Sequence, residues 1–156
     1  MRGIRRRSGE AHSRSTISSF CRGFSLAATV AAMDLSLFFL GTGGAVPSAR
    51  RGLPAVLLSR GGDRLLFDCG EGTQRQLVRS VGLIDVDCVF LTHFHADHWL
   101  GLPGMMKTFA LRERQRPLTL YGPLGLKRLM GAMEVVYGRR LSYEVQVREL
   151  ERWEEV

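Results

Sequence analysis

Three histidines and one aspartate lie within six residues, directly after a short apolar segment. They are His93, His95, Asp97 and His98. The preceding segment, residues 87–92, has the apolar character of a buried strand. Clustering charged and polar side chains at the exit of such a strand costs several kcal/mol unless something binds them. The cluster therefore predicts a metal site.

The spacing within the cluster predicts two metal ions. His93 and His95 are two residues apart in extended chain, so they project to the same side and can share one ion. Asp97 and His98, where the chain turns into a helix, can face a second ion. Imidazole and carboxylate ligands suit zinc, and two ions about 3.5–4 Å apart can hold the attacking and leaving oxygens of a phosphodiester. Asp97 can also serve as the general base for a metal-bound water, whose pKa zinc brings to about 7.

A carboxylate at the end of a neighbouring predicted strand, Asp68, has two possible roles. It can accept the free N–H of a metal-bound histidine, which fixes the tautomer and orientation of that ring. It can equally well cap the loop formed by Gly70, Glu71 and Gly72. The spacing alone does not choose between these roles.

Apolar segments alternate with helical patterns along the chain, which predicts an α/β layered architecture. The predicted strands cover residues 35–40, 53–59, 64–68, 87–92, 118–121 and 141–147. The predicted helices cover residues 73–81, with Thr73 as the N-cap, 98–111 and 123–137. Within the second helix one stripe is expected to pack in the core, namely Leu100, Leu102, Met105, Met106 and Phe109. The glycines at 41–44 predict a tight turn close to the metal site.

Length and composition are those of one ordinary domain. The chain has 156 residues, of which 45% are hydrophobic and 24% charged, close to the globular average. For the chain as a whole, this composition argues against a disordered, collagen-like or disulfide-scaffold protein. The net charge of +7 does not by itself indicate nucleic-acid binding, because six arginines against Glu10 place five of these units in residues 1–32.

Residues 1–32 form a basic leader that is separate from the predicted domain at 33–156. The leader is rich in Arg and Ser and runs into the short apolar stretch Phe24 to Ala32, a pattern typical of transit and signal peptides. A stretch of about ten residues is too short to span a bilayer, and no membrane association is expected. Alternatively, translation begins at Met33 and the leader is a mis-assigned start. If translation begins at Met33, the protein is expected in the cytoplasm. If the leader is genuine, it is expected to be disordered and to direct the protein to an organelle.

The three cysteines, Cys21, Cys69 and Cys88, are odd in number and show no CxxC spacing. Buried free thiols in a reducing compartment are therefore expected, with neither a disulfide nor a cysteine-ligated zinc.

Two groups of arginines leave two interpretations open. Arg50 and Arg51 follow the glycine turn, and Arg112, Arg114 and Arg116 follow the second predicted helix. Each group either contacts a phosphate backbone or is simply solvated at the surface.

The sequence His93 to His98, HFHADH, resembles the HxHxDH signature of the metallo-β-lactamase superfamily. Narrower matches occur at Phe39–Gly43, Phe67–Gln74, Gly101–Gly104 and Leu120–Pro123. Together these segments, over about residues 35 to 150, resemble the bacterial type of the ribonuclease Z family, endonucleases that cut the 3′ trailer from precursor tRNA.

The resemblance implies an αββα sandwich with a two-zinc site. By this likeness His93 and His95 ligate one zinc, and Asp97 and His98 ligate the other. Asp97 is implied as the catalytic residue that accepts a proton, with zinc hydroxide attacking the phosphodiester. Precursor tRNA is the implied substrate, and a homodimer the implied assembly.

The chain departs from the family in extent. The family's further zinc ligands, two histidines and a bridging aspartate, lie in downstream motifs, and only His12 remains here besides the cluster. The chain is therefore expected to be an amino-terminal half, with two protein ligands for each metal and an apolar sheet face left uncovered. The alternatives are another phosphodiesterase of the superfamily and a catalytically inert fragment. Such a fragment would bind at most one zinc weakly or act only as the partner of a separately made second half.

Overall fold

The structure, a computed structural model, describes residues 34–137 and 140–151; the predicted leader and Cys21 lie outside them. Within the described residues, strands and helices alternate as the sequence predicts. The strands are β1 (Leu35–Gly41), β2 (Ala55–Arg60), β3 (Asp63–Phe67), β4 (Cys88–Phe90), β5 (Leu118–Gly122) and β6 (Val145–Glu149). The helices are α1 (Thr73–Ser80), α2 (Ala96–Trp99), α3 (Gly101–Leu111) and α4 (Leu126–Tyr137). None of these described helices has the length and apolarity needed to cross a membrane.

The strands form one mixed sheet in the order of the sequence. β1, β2 and β3 are antiparallel neighbours, and the turn between β2 and β3 uses Gly61 with a positive φ of 56°. From β3 to β6 the neighbours are parallel, since a helix returns the chain between successive strands. The segments that follow β3 and β4 therefore leave the sheet at the same edge, and this edge carries Asp68 and the histidine cluster.

One face of the sheet packs against the helices and forms the hydrophobic core. Alternate strand residues point into it, as the period of two requires. They meet apolar residues of α1, α3 and α4 in a continuous cluster whose fully buried members include Leu57, Leu66, Leu77, Val89, Leu102, Met105, Met106, Phe109, Leu118, Leu120 and Leu126. The core thus lies between the sheet and the helices, and it supports the sheet edge where the site is built.

The opposite face of the sheet is apolar and, among the described residues, partly exposed. Strand pairing sets Phe39, Val56, Phe67, Phe90 and Tyr121 in one row across five strands. The rings of Phe67 and Phe90 stack at 5.1 Å, and those of Phe90 and Tyr121 at 4.7 Å. Phe39 is 70% exposed. The α/β prediction is confirmed, and a single sheet with helices on one face corresponds to half of an αββα sandwich.

The predicted helix 98–111 is wrong as one element. The chain makes the short helix α2 and then begins α3 at Gly101, with Leu100 as the junction. Leu100 was expected in the core and is 47% exposed, whereas Trp99 is buried. Pro103 sits in the first turn of α3, where its missing N–H has no helical partner to lose.

Several other boundaries differ from the predictions. β4 and α4 are each three residues shorter than predicted, and two more differences have a visible cause. The N-cap of α1 is Gly72, with φ 85°, and not Thr73, whose hydroxyl donates to the carbonyl of Gly70 at 2.7 Å. The last strand begins at Val145 and not at residue 141. Tyr143 is buried there and donates its hydroxyl to the Met106 carbonyl at 2.9 Å, so this segment packs on α3 before it joins the sheet.

Arg114 fits neither interpretation suggested by the sequence. It is 5% exposed and donates to the carbonyls of Arg116 and Pro117 at 2.7 Å each. Its guanidinium also lies 5.3 Å from the ring centroids of Phe109 and Tyr143. Arg114 is therefore a structural residue of the loop after α3.

Candidate metal centre

Three imidazole rings come together beyond the carboxyl end of β4. The ring centroids of His93 and His95 are 4.5 Å apart, and those of His93 and His98 are 4.0 Å apart. His95 keeps an extended backbone and immediately precedes α2. The amide of His98 then donates to the His95 carbonyl at 2.9 Å, because one helical turn brings His98 back over the preceding residues. The two histidines expected to share one ion are in contact, and His98 joins them.

Asp68, at the end of β3, reaches across to this group. Its carboxylate lies 2.7 Å from Nδ1 of His98 and accepts the backbone N–H of Thr92 at 2.8 Å. Its own amide donates to the Phe90 carbonyl at 2.8 Å. Asp68 has a positive φ of 57°, a conformation that aspartate tolerates at some cost. Of the two roles that the sequence left open, these contacts match the one in which the carboxylate holds a histidine.

These contacts determine which nitrogen of His98 carries the proton. An ionised carboxylate only accepts hydrogen bonds, so Nδ1 of His98 donates to Asp68 and Nε2 presents its lone pair. Nε2 lies 3.6 Å from Oδ2 of Asp97, too far for a hydrogen bond. Both atoms therefore remain available to bind a cation.

Thr92 extends the same arrangement to His93. Its hydroxyl lies 2.9 and 3.0 Å from the two carboxylate oxygens of Asp68 and 2.9 Å from Nδ1 of His93. The hydroxyl has one hydrogen, which goes to the carboxylate, so its oxygen accepts the Nδ1 hydrogen of His93. Asp68 thus leaves Nε2 free on two rings, directly on His98 and through Thr92 on His93.

The loop after Asp68 is held tightly against the segment that carries Asp97 and His98. The amide of Cys69 donates to the His98 carbonyl at 2.7 Å, and the amide of Gly101 donates to the Cys69 carbonyl at 2.9 Å. A Cβ at Gly70 would overlap the carbonyl oxygen of Asp97 and approach Leu53 Cβ to 2.5 Å. Only a glycine fits at this contact without a shift of the backbone.

Gly70→Ala is therefore expected to lower the free energy of unfolding by roughly 1–3 kcal/mol, the usual cost of overpacking. The matched control is Gly104→Ala in α3, where an added Cβ meets nothing within 4 Å and the better helix propensity should raise stability by up to about 1 kcal/mol. Urea unfolding of both variants measures the difference. Equal stability of the two variants would contradict the tight contact.

Cys69 lies beside the cluster without the properties of a ligand. Burial raises the pKa of its thiol to about 12; a hydrogen bond with Thr73 lowers it, and the charge of Asp68 raises it further. The thiol is therefore protonated at neutral pH and poorly suited to bind a metal. Cys69 and Cys88 are both free thiols as expected, although Cys88 is only partly buried.

The donor set fits zinc in kind but is small in number. Imidazole and carboxylate are ordinary zinc ligands. Across residues 34–137 and 140–151, however, no three His, Cys, Asp or Glu side chains are arranged to hold one ion together. Each predicted pair therefore supplies two of the three protein ligands that a catalytic zinc usually has.

The sequence pointed to His93, His95, Asp97, His98 and Asp68, and the structure places all five at one edge of the sheet. Sequence reasoning missed Thr92, which was read only as the last residue of a strand. It also missed the close packing of Gly70. The position of Thr92 immediately before the first histidine was a signal of its role, since a threonine hydroxyl can both donate and accept a hydrogen bond.

Comparison with known proteins gives a consistent set of relatives. Residues 51–155 match the family model described as the metallo-beta-lactamase superfamily. The chain is 45% identical over 117 residues to a protein named ribonuclease Z from Methanosarcina mazei, and 45% identical over 116 residues to a ribonuclease Z from Myxococcus xanthus. Each alignment covers 74% of this chain and 38% of the relative, so the chain spans under half the length of these relatives.

Solved structures agree with this relationship. The crystal structure of human tRNase Z, short form, superposes with a TM-score of 0.64 at 42% identity, covering 72% of this chain and 44% of that one. A diphosphatase of the PhnP family superposes with a TM-score of 0.59 at 25% identity, covering 74% of this chain and 50% of that one.

Proposed function

The chain belongs to the metallo-β-lactamase superfamily, and from this premise we propose that it supplies the amino-terminal half of a zinc-dependent endoribonuclease that removes the 3′ trailer from precursor tRNA. The observation that carries the proposal is the group of three imidazoles and Asp97 at one sheet edge, held by Asp68. The ribonuclease Z relatives and the tRNase Z structure support the choice of substrate.

The residues divide between two zinc ions as their positions suggest. His93 and His95 would hold one ion, and Asp97 and His98 the other. When bound, zinc supplies Lewis-acid chemistry that activates water and neutralises charge on a phosphate. Asp68 and Thr92 would orient the rings of His98 and His93 so that their free Nε2 atoms can bind zinc. Hydrogen-bond partners of metal ligands commonly have this role.

Asp97 is proposed as the proton acceptor of the reaction. Its carboxylate is 14% exposed and its Oδ2 lies 3.6 Å from Nε2 of His98, so it is held near the cluster without being hydrogen-bonded by that ring. A carboxylate at this position can take the proton that an attacking water gives up and can pass it to the departing oxygen. The half-buried setting limits competition from bulk water.

Asp68→Asn is expected to weaken zinc binding by roughly 10–100-fold, because the amide no longer fixes the tautomer of His98. The matched control is Asp87→Asn. Asp87 also accepts a backbone amide, that of Arg64 at 2.9 Å, and pairs with Arg116, but it lies at the opposite end of β4. Competition titration against a chromophoric chelator measures the zinc affinity of both variants. If the control loses as much affinity as Asp68→Asn, the orienting role is refuted.

The small number of protein ligands and the partly exposed apolar sheet face support the proposal that this chain holds only half of the complete metal site. Two protein ligands for each ion fall short of the usual three, and the chain covers 38% of the length of two relatives. The apolar row from Phe39 to Tyr121 is exposed at Phe39 and partly exposed at its other members. It is the surface on which a second sheet would pack. Activity is therefore expected when the remaining part of such an enzyme is supplied.

The test incubates the purified chain and zinc with a precursor tRNA that carries a 3′ trailer, alone and with a separately expressed carboxyl-terminal segment of a ribonuclease Z. The proposal predicts a zinc-dependent cut at the trailer junction in the combined sample. A parallel reaction uses bis(p-nitrophenyl) phosphate. If only this small diester is cleaved, a small-molecule phosphodiesterase is the better assignment. If neither substrate is cut in any mixture, the chain is an inert fragment.

We further propose that the working protein is a homodimer in the cytoplasm. Both proposals follow from the family likeness, and an organelle replaces the cytoplasm if residues 1–32 are a transit peptide. Light scattering coupled to size-exclusion chromatography tests the first, and a fluorescent fusion to the full chain tests the second.

A further inference from the structure

The ring of His95 is the one imidazole of the candidate metal centre without a hydrogen-bond partner among the described residues. Nδ1 of His98 is held by Asp68. Nδ1 of His93 is held by Thr92. The ring of His95 lies edge to face on that of His93, and the residue is otherwise exposed. The ring must therefore take its orientation from the backbone that carries it.

The backbone just before His95 is held by Trp99. The indole Nε1–H of Trp99 donates to the carbonyl oxygen of Phe94 at 3.1 Å. No backbone amide of the described residues donates to this carbonyl, so the indole is its donor. The planar peptide unit that joins Phe94 to His95 contains this oxygen. A hydrogen bond to the oxygen therefore restrains the plane from which the His95 side chain projects.

Trp99 is itself fixed by the core. It is the last residue of α2, is 9% exposed and belongs to the hydrophobic core cluster. The same helix carries Asp97 and His98, the proposed ligands of the second zinc. An indole N–H only donates, and a buried one needs an acceptor. One core side chain thus anchors the helix of one ligand pair and bonds to the backbone of the other pair.

The residue between the first two histidines is held at a second point. The ring of Phe94 is partly buried and packs against the core cluster. On another side, a Cβ at Gly125, just before α4, would lie 3.4 Å from Cε2 of Phe94, which is van der Waals contact. With its ring packed and its carbonyl bonded, Phe94 has little freedom to turn the peptide plane that aims His95.

We infer that Trp99 is a positioning residue of the metal centre, whose indole hydrogen bond to the Phe94 carbonyl orients His95 for zinc binding. The inference rests on the proposed function and deepens it, because it assigns the support of the third ring. Partners of metal-bound histidines normally bond to the ring itself, whereas here the bond is made to the backbone of the ligand. Its loss should therefore cost less zinc affinity than the loss of the Asp68 carboxylate.

The test removes the indole N–H and keeps the bicyclic ring. Suppression of an amber codon replaces Trp99 in the full chain by benzothienylalanine, in which a sulfur atom stands in place of the N–H. Zinc affinity, measured by chelator competition, should fall by roughly 3–10-fold, the loss expected for one neutral hydrogen bond. Trp99→Phe, which also lacks the N–H, should lose at least as much zinc affinity.

Tyr143→Phe is the matched control. It also removes a buried donor to a backbone carbonyl, the 2.9 Å bond to Met106, but at a place outside the metal centre. Both changes should lower the urea midpoint of the metal-free chain by similar amounts, and only the Trp99 variant should lose zinc affinity. A Trp99 variant that loses stability and keeps its zinc affinity would make Trp99 a purely structural residue and overturn the inference.

A measurement on the unaltered chain covers a variant that does not fold. If the hydrogen bond favours zinc binding, zinc must stabilise the hydrogen bond by the same factor. Solvent exchange of the Trp99 indole N–H in ¹⁵N-labelled protein, assigned with Trp153→Phe, should therefore slow by roughly 3–10-fold on saturation with zinc. The slowing is taken relative to the amide of Leu118, which donates to the Glu144 carbonyl at the amino end of β5. Equal slowing of the two groups would overturn the inference.

These outcomes are distinct from those of the proposed function. Weaker zinc binding confined to the Trp99 variants supports the inference even if precursor tRNA is never cut, in which case the proposed function fails alone. Cleavage of precursor tRNA with equal zinc affinity in every variant overturns the inference and leaves the proposed function in place. An unaltered chain that binds no zinc overturns both.

Discussion

Asp97→Ala is expected to lower the rate of zinc-dependent cleavage of precursor tRNA by roughly 10²–10⁴-fold, the range that a positioned proton acceptor contributes. The structure places this carboxylate 3.6 Å from His98 Nε2 and 14% exposed. The substitution would remove both the proposed zinc ligand and the proposed base. The rate is measured under single-turnover conditions in the reconstituted mixture of this chain and a ribonuclease Z carboxyl-terminal segment.

The matched control for this variant is Glu134→Ala, which removes an exposed carboxylate from α4. Its rate should stay within about twofold of the unaltered chain, because surface substitutions away from a site have small effects. Asp97→Asn separates the two roles of the carboxylate, since an amide oxygen still approaches a cation but accepts no proton. If Asp97→Ala cuts as fast as the control, Asp97 is not the proton acceptor.

The double variant His93→Ala/His95→Ala is expected to remove about one equivalent of bound zinc and to abolish cleavage. These two rings, 4.5 Å apart, supply both proposed protein ligands of one ion. The loss of zinc affinity at that site should exceed the roughly 10–100-fold loss expected when only a hydrogen-bond partner of a ligand is removed. Metal analysis after dialysis against a chelator of intermediate strength gives the stoichiometry.

The chain provides a matched control for the double variant in His12→Ala, which removes the remaining histidine. His12 lies in the basic leader and outside the predicted ligand set, so zinc content and cleavage should be unchanged. Equal zinc in the double variant and in the His12→Ala chain would show that the bound metal does not depend on the cluster.

The sequence predicted the alternation of strands and helices and the positions of the polar side chains at strand ends. Asp68 follows β3 and His93 follows shortly after β4. Because β3 and β4 are parallel neighbours, both residues lie at one edge of the sheet. The proximity of Asp68 to His98 depends on that pairing, which spacing along the chain does not reveal. The sequence alone therefore leaves the role of Asp68 open, and the structure adds the 2.7 Å contact between its carboxylate and Nδ1 of His98.

The features that the sequence did not predict depend on long-range packing. Tyr143 delays the start of β6 because its hydroxyl reaches Met106, and Arg114 is buried because backbone carbonyls and two rings surround it. Leu100 has the apolar spacing of a core residue, but the break between α2 and α3 turns it outward. The open sheet face was expected from the family likeness, since alternating apolar residues alone do not show what covers them.

Zinc K-edge X-ray absorption of the zinc-loaded chain tests most directly whether the cluster is a metal centre. We predict a shell of nitrogen and oxygen atoms at about 2.0–2.1 Å, with the outer scattering of imidazole rings, and a loss of that imidazole signal in the His93→Ala/His95→Ala variant. Sulfur scattering at about 2.3 Å, or a spectrum unchanged in the variant, would contradict a metal centre at His93, His95, Asp97 and His98.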